Sequence, residues 1–147
     1  MLVLPEFACA QWLSFAPLDL PTEHTMGWLY ETGEIALPAI ATMAMHYGVS
    51  VLAGTIPFAS AIKDGVQTYF NRAWLLTPDG ERHTQDKLSL TPLEVQSAGG
   101  VTVHGERINV FEWNGLRTAM IICLDTEFTD LWSRLGGLNL DLIIIPA

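Results

Sequence analysis

The stretch from Ile108 to Cys123 constrains the fold more than any other part of the chain. Ile108-Asn-Val-Phe-Glu-Trp113 and Leu116 to Cys123 are β-rich runs, and Asn114-Gly115 between them supplies the positive φ angles of a tight hairpin turn. The second strand ends on the apolar run Thr118-Ala-Met-Ile-Ile-Cys123, after which Leu-Asp-Thr-Glu-Phe-Thr-Asp-Leu-Trp132 reads as a turn and a helix. Cys123 therefore stands at a strand-to-helix turn, where a nucleophile would be placed.

The remainder alternates helix and strand. Apolar residues at Ile35, Ala39, Ile40, Met43 and Tyr47 recur close to helical spacing, so Thr32 to Tyr47 is read as a helix closed by a left-handed Gly48. Pro38 is expected to kink that helix or to move its start. Val49 to Gly54 is a β-rich run, and Gln67 to Leu76 a second, bounded by the turn signals Lys63-Asp-Gly65 and Pro78-Asp-Gly80. Segments 10 to 31 and 89 to 104 have no sustained period and are read as loops or short helices around a site mouth. Leu2-Val-Leu4 and Asp141-Leu-Ile-Ile-Ile145 read as strands that neighbour each other in one sheet. Bare strands at both ends suggest a fragment of a larger domain.

Half of the residues are hydrophobic, which suits a packed globular core. A formal charge of -9 with no Lys/Arg cluster argues against nucleic acid as a partner. No run approaches the roughly 18 apolar residues of a membrane span, and the amino terminus lacks the basic segment of a signal peptide, so a soluble cytoplasmic protein is expected. Cys9 and Cys123 fit reduced thiols better than a disulfide framework. His24, His46, His83 and His104 lack ligand spacing, and Gly99-Gly100 and Gly136-Gly137 read as turn signals rather than phosphate loops. No metal and no cofactor is expected.

Three residues in punctuated settings could make a thiol site. A thiol of pKa about 8.5 is a few per cent thiolate at neutral pH, so a catalytic cysteine needs a base or a cation beside it. Glu6, closing Leu2-Val-Leu-Pro-Glu6, could take the proton. Lys87, one of two lysines in the chain, could hold the thiolate and then an oxyanion, with the Leu124 backbone N–H as second donor. Against this, a cysteine on a strand is commonly a core filler, and lone Glu and Lys residues are commonly solvated. Asp125 reads as a cap or a tie for the turn.

The words around these residues decide between the two. Leu2-Val-Leu-Pro-Glu6-Phe7, then Asn71-Arg-Ala-Trp-Leu-Leu-Thr-Pro-Asp-Gly80 running on to Asp86-Lys87-Leu-Ser-Leu-Thr-Pro92, then Ile121-Ile-Cys123-Leu-Asp125-Thr-Glu-Phe128, resemble in order and spacing the carbon–nitrogen hydrolase (nitrilase) superfamily. The resemblance implies an α/β (α+β) fold, a four-layer α-β-β-α sandwich, with residues 1 to 147 as a partial domain lacking the first strand and the carboxyl-terminal half. It implies a Glu-Lys-Cys triad of Glu6 as general base, Lys87 as stabiliser and Cys123 as nucleophile. Glu94 resembles a second glutamate that many members place beside the triad, and a surface loop charge is its other reading. The implied activity is hydrolysis of a non-peptide C–N bond, an amide before a nitrile. Acyl transfer to an amine by the same triad and a non-catalytic truncated copy acting as a binding or assembly module are the alternatives. A small amide or nitrile as ligand, and a homodimer, are the implied partners. Ser89, Leu124 and Phe128-Thr129-Asp130 depart from the common pattern.

Overall fold

A computed structural model of the chain describes residues 1–96 and 101–147. Gly99-Gly100 lies outside the described residues. The strands are Leu2–Val3 (β1), Val51–Lys63 (β2), Val66–Leu76 (β3), Arg82–Asp86 (β4), Thr102–Val103 (β5), Val110–Trp113 (β6), Leu116–Met120 (β7) and Leu142–Ile144 (β8). The α-helices are Thr25–Tyr47 (α1), Pro92–Gln96 (α2) and Thr129–Gly136 (α3), with 3₁₀ turns at Ala8–Phe15, Thr22–His24 and Cys123–Glu127.

Two sheets result. The first runs β1-β2-β3-β4 with β5 beside β3, and the second runs β6-β7-β8. β1 is parallel to β2, β8 is parallel to β7, and in each case a helix makes the crossover. Each crossover closes within its own sheet, so β1 and β8 lie in different sheets. That corrects the expectation that the two terminal strands are neighbours.

Side-chain alternation along the strands assembles the layers. Leu52, Ala73 and Leu75 of the first sheet meet Met120, Ile122 and Ile144 of the second in one apolar layer. Val51, Ala53, Ile56 and Leu76 point the other way and pack on α1. Ala119 and Ile121 turn outward to Leu131 and Leu135 of α3. The order is α1, first sheet, second sheet, α3, which is the expected α-β-β-α sandwich.

α1 differs from its sequence reading in two ways. It starts at Thr25, inside the segment read as loop, and Pro38 lies within it without ending it. Its buried stripe is Leu29, Gly33, Leu37, Ala41 and Ala44, whereas Ile35 at 79% exposure, Met43 and Tyr47 face outward. Small residues form the packed stripe because the helix lies close on the sheet: a Cβ on Gly33 would stand 2.6 Å from Ile56 Cγ2. Gly48 ends the helix with φ 64°, and Val49 N donates to Ala44 O. β2 extends well past Gly54, through two register shifts against β3. The hairpin falls where expected, with Asn114 and Gly115 at φ 51° and 74°. Among the described residues no helix is long and apolar enough to cross a membrane.

Candidate active site

The loop after β1 carries Glu6. Leu4 N donates to Leu52 O, which prolongs the pairing of β1 with β2. Phe7, at φ 50°, then turns the chain and donates its N–H to Thr55 Oγ1 at 2.8 Å. The loop can lie this close because position 54 is glycine at φ 72°, where any Cβ would stand 2.2 Å from Pro5 O.

Lys87 follows β4 directly, and its N–H continues the ladder by donating to Asn71 O of β3 at 2.9 Å. Its ammonium, on a side chain only 1% exposed, donates to Glu6 Oε1 and Glu94 Oε2 at 2.7 Å each. Glu94 belongs to the short helix α2, whose start is a reciprocal cap: Thr91 N donates to Glu94 Oε2 and Glu94 N to Thr91 Oγ1. Of the two readings open for Glu94, the surface charge is excluded, because the residue is buried beside Lys87.

Cys123 comes from the other sheet. After β7 the chain passes Ile121, which donates to Ile144 O, and turns sharply at Cys123 with φ 43°. Left-handed backbone at a non-glycine residue is uncommon and persists only where its surroundings enforce it. Here the enforcing groups are Cys123 N donating to Pro146 O and the buried Asp125 carboxylate, which accepts from Ile122 N. The same carboxylate accepts from Leu88 N and Ser89 N, so one side chain ties the cysteine turn to the segment that carries Lys87. Burial pulls the Asp125 carboxyl above its ordinary range, although those N–H groups pull it down. The reading of Asp125 as a tie for the turn therefore matches its contacts.

Charge is distributed unevenly. The Cys123 thiol sits above its ordinary pKa because burial and the hydrogen-bonded Glu6 carboxylate raise it more than Lys87 and the Leu124 N–H lower it. The Lys87 ammonium, bonded to two carboxylates, lowers the thiol's pKa by less than burial and Glu6 raise it. For Lys87, burial works against the charged form, yet its bonds to Glu6 and Glu94 leave the pKa raised. For Glu94, burial is likewise outweighed, by Lys87, Thr91 N–H and Asn71, and its carboxyl is held below the usual value.

A cleft of about 290 Å³ opens on Glu6, Lys87 and Glu94, with Phe7, Met26 and Leu93 as apolar walls. A larger hollow of about 520 Å³ lies against Trp28, Glu31 and Tyr69 and contains none of the clustered groups. Cys9, by contrast with Cys123, is core, with a thiol pushed up to about 12 by burial.

One member of the cluster has no role in the sequence reading. Asn71, fully buried on β3, donates from Nδ2 to both Glu6 Oε1 and Glu94 Oε1 at 2.8 Å. Its only sequence signal is that it opens the second family-like word. Among the described residues no group of three His, Cys, Asp or Glu side chains could hold a metal ion.

The family model described as carbon–nitrogen hydrolase matches residues 1–147. The probable hydrolase YhcX of Bacillus subtilis is 28% identical over 129 residues, which is 88% of this chain and 24% of that one. Among solved structures, an amidase from Nesterenkonia sp. AN1, seen after Michael addition of acrylamide at its active-site cysteine, matches with a TM-score of 0.65 and 16% identity over 98% of this chain and 52% of the amidase. A glutamine-dependent NAD+ synthetase from Acinetobacter baumannii matches with a TM-score of 0.66 and 19% identity, over 97% of this chain and 24% of the synthetase. The chain thus spans between a quarter and about half of these relatives. At such identities the structural likeness speaks for the fold alone.

Proposed function

The chain belongs to the carbon–nitrogen hydrolase family, and from that premise we propose that it carries the nucleophile, base and cation of a thiol amidohydrolase. The observation that supports this most directly is the cluster itself: Lys87 bonds Glu6 at 2.7 Å, and burial and that same Glu6 raise the Cys123 thiol above its ordinary pKa, which favours a protonated thiol near the carboxylate that would take its proton. A thiol in that state has to be deprotonated as it attacks, which is general-base catalysis.

The cycle follows from the contacts. Sγ of Cys123 attacks the amide carbon while Glu6 takes the thiol proton. The carbonyl oxygen becomes an oxyanion, met by the Lys87 ammonium and the Leu124 N–H. Two of the three Lys87 protons are committed to Glu6 and Glu94, which leaves the third for that oxygen. The tetrahedral adduct collapses, the C–N bond breaks, and Glu6 passes its proton to the departing ammonia or amine. Water, deprotonated by Glu6, then attacks the Cys123 thioester and releases the acid, with the proton returning to sulfur.

An amide is favoured over a nitrile as substrate. Both solved relatives of this fold named above, an amidase and a glutamine-dependent synthetase, point to carboxamides. Two free thiols agree with a reducing compartment such as the cytoplasm.

The test is to incubate the protein with short aliphatic amides and follow ammonia release together with the intact mass. The expected result is turnover through an acyl adduct on Cys123, both abolished in Cys123→Ala. Undiminished ammonia release from Cys123→Ala, or an adduct on another residue, would overturn the proposal. Product formation that depends on an added amine acceptor would convert the reading to acyl transfer.

A further inference from the structure

Asn71 is bonded in a way that packing alone does not explain. Its Nδ2 donates to Glu6 and Glu94 at once, while its Oδ1 is buried without a partner among the described residues. A buried carbonyl left unsatisfied costs free energy, and a native structure tolerates it only for a reason. The reason lies in the neighbours. Turned the other way, the side chain would set its oxygen against two carboxylates, so the two anions dictate the amide's orientation.

The oxygens that Asn71 engages matter as much. On Glu6 it takes Oε1, the same atom that accepts from Lys87. On Glu94 it takes Oε1, while Lys87 takes Oε2. The amide and the ammonium thus cross-brace the two carboxylates. With both neutral and charged donors on Oε1, Glu6 is left with Oε2 for the thiol proton. A second hold is through the main chain, since Asn71 O accepts from Lys87 N.

We propose that Asn71 is a positioning residue that fixes which oxygen of Glu6 receives the Cys123 proton. This rests on the reading of Glu6 as the base. A lysine alone, on a flexible stem, leaves the Glu6 carboxylate free to rotate about its last bond. The rigid two-proton fork of an amide on a β-strand does not.

The experiment needs no substrate. Acrylamide adds to a thiol by forming the S–C bond as its C=C bond opens, and the thiol proton, relayed by the base, ends on the neighbouring carbon. The second-order rate of acrylamide addition to Cys123 is measured from pH 4 to 9 by intact mass, for the native chain and for Glu6→Gln, Asn71→Ala and Asn71→Ser. Native protein is expected to show an acid limb set by the base. Asn71→Ala is expected to react about 10-fold more slowly at pH 7, with the midpoint of that limb moved up by about one pH unit, the loss of one N–H donor to a carboxylate. Asn71→Ser, which retains a hydroxyl donor, is expected to lie between the two and serves alone if Asn71→Ala does not fold by circular dichroism. If both Asn71 variants keep the native rate and midpoint while Glu6→Gln is slow, the role of Asn71 is overturned and the base stands. If Glu6→Gln itself reacts like the native chain, the base reading falls, and this proposal with it.

Discussion

Replacing Asp125 by Asn tests whether one carboxylate aligns the two halves of the site. Asp125 is fully buried, and its Oδ1 accepts from Ser89 N at 2.7 Å and Leu88 N at 3.1 Å while its Oδ2 accepts from Ile122 N at 3.0 Å. Asparagine has the same shape but only one acceptor oxygen. If that oxygen keeps Leu88 and Ser89, the new amide nitrogen faces Ile122 N, donor against donor. One buried N–H is then unsatisfied, at about 1–3 kcal/mol. Removing a charge from a buried site returns part of that, so a net loss of about 2 kcal/mol is expected, or about 4–8 °C in melting temperature for a chain of this size. Because Ile122 immediately precedes Cys123, the loss also releases the left-handed turn, and a displacement of about 1 Å can cost about 100-fold in rate. Differential scanning calorimetry and acrylamide labelling of Cys123 read the two effects. A variant with native melting temperature and native labelling would refute the argument that Asp125 ties the cysteine turn to the lysine segment.

Two further outcomes follow from the electrostatics. Limited iodoacetamide treatment at pH 7 with peptide mapping should label Cys123 well before Cys9, whose thiol is buried and pushed up to about 12, and equal labelling would show that Cys9 is not in the core. Glu94, whose carboxyl is held below the ordinary 4.5, contributes stability that is present above that value and is lost as pH falls through its lower folded value. The urea midpoint of Glu94→Gln should therefore lie below that of the native chain at pH 7 and approach it below pH about 4.5. A gap that persists unchanged into acid would mean that the ion pair with Lys87 is not its source.

The strands and the chemistry were legible for different reasons. Asn114-Gly115 is a local signal, since two left-handed residues in succession suit few other structures, and the hairpin lies where it points. Gly48 behaves the same way. The face of α1 was not legible, because the sequence marks large apolar residues and the sheet selects small ones: Gly33, Ala41 and Ala44 pack while Ile35 and Met43 do not. Sheet membership of β1 and β8 depends on long-range crossovers, which no local pattern carries. Glu6, Lys87 and Cys123 were visible through the words around them. Asn71 was not singled out, because a polar residue within a strand has no meaning until its neighbours across the sheet are known. The lowered acidity of Cys123 was hidden for the same reason: it depends on burial and on Glu6, which reaches the thiol from the other sheet.

The placement of the cluster makes the hydrophobic layer a spacer. Glu6, Asn71 and Lys87 hang from the first sheet, and Cys123 hangs from the second. Apart from the Asp125 tie, the gap between Glu6 and the Cys123 sulfur is set by how Leu52 and Leu75 seat against Met120 and Ile122. Geometry here is calibrated by oil: a methylene gained or lost in that layer, well away from the cluster, changes the distance between Glu6 and Cys123.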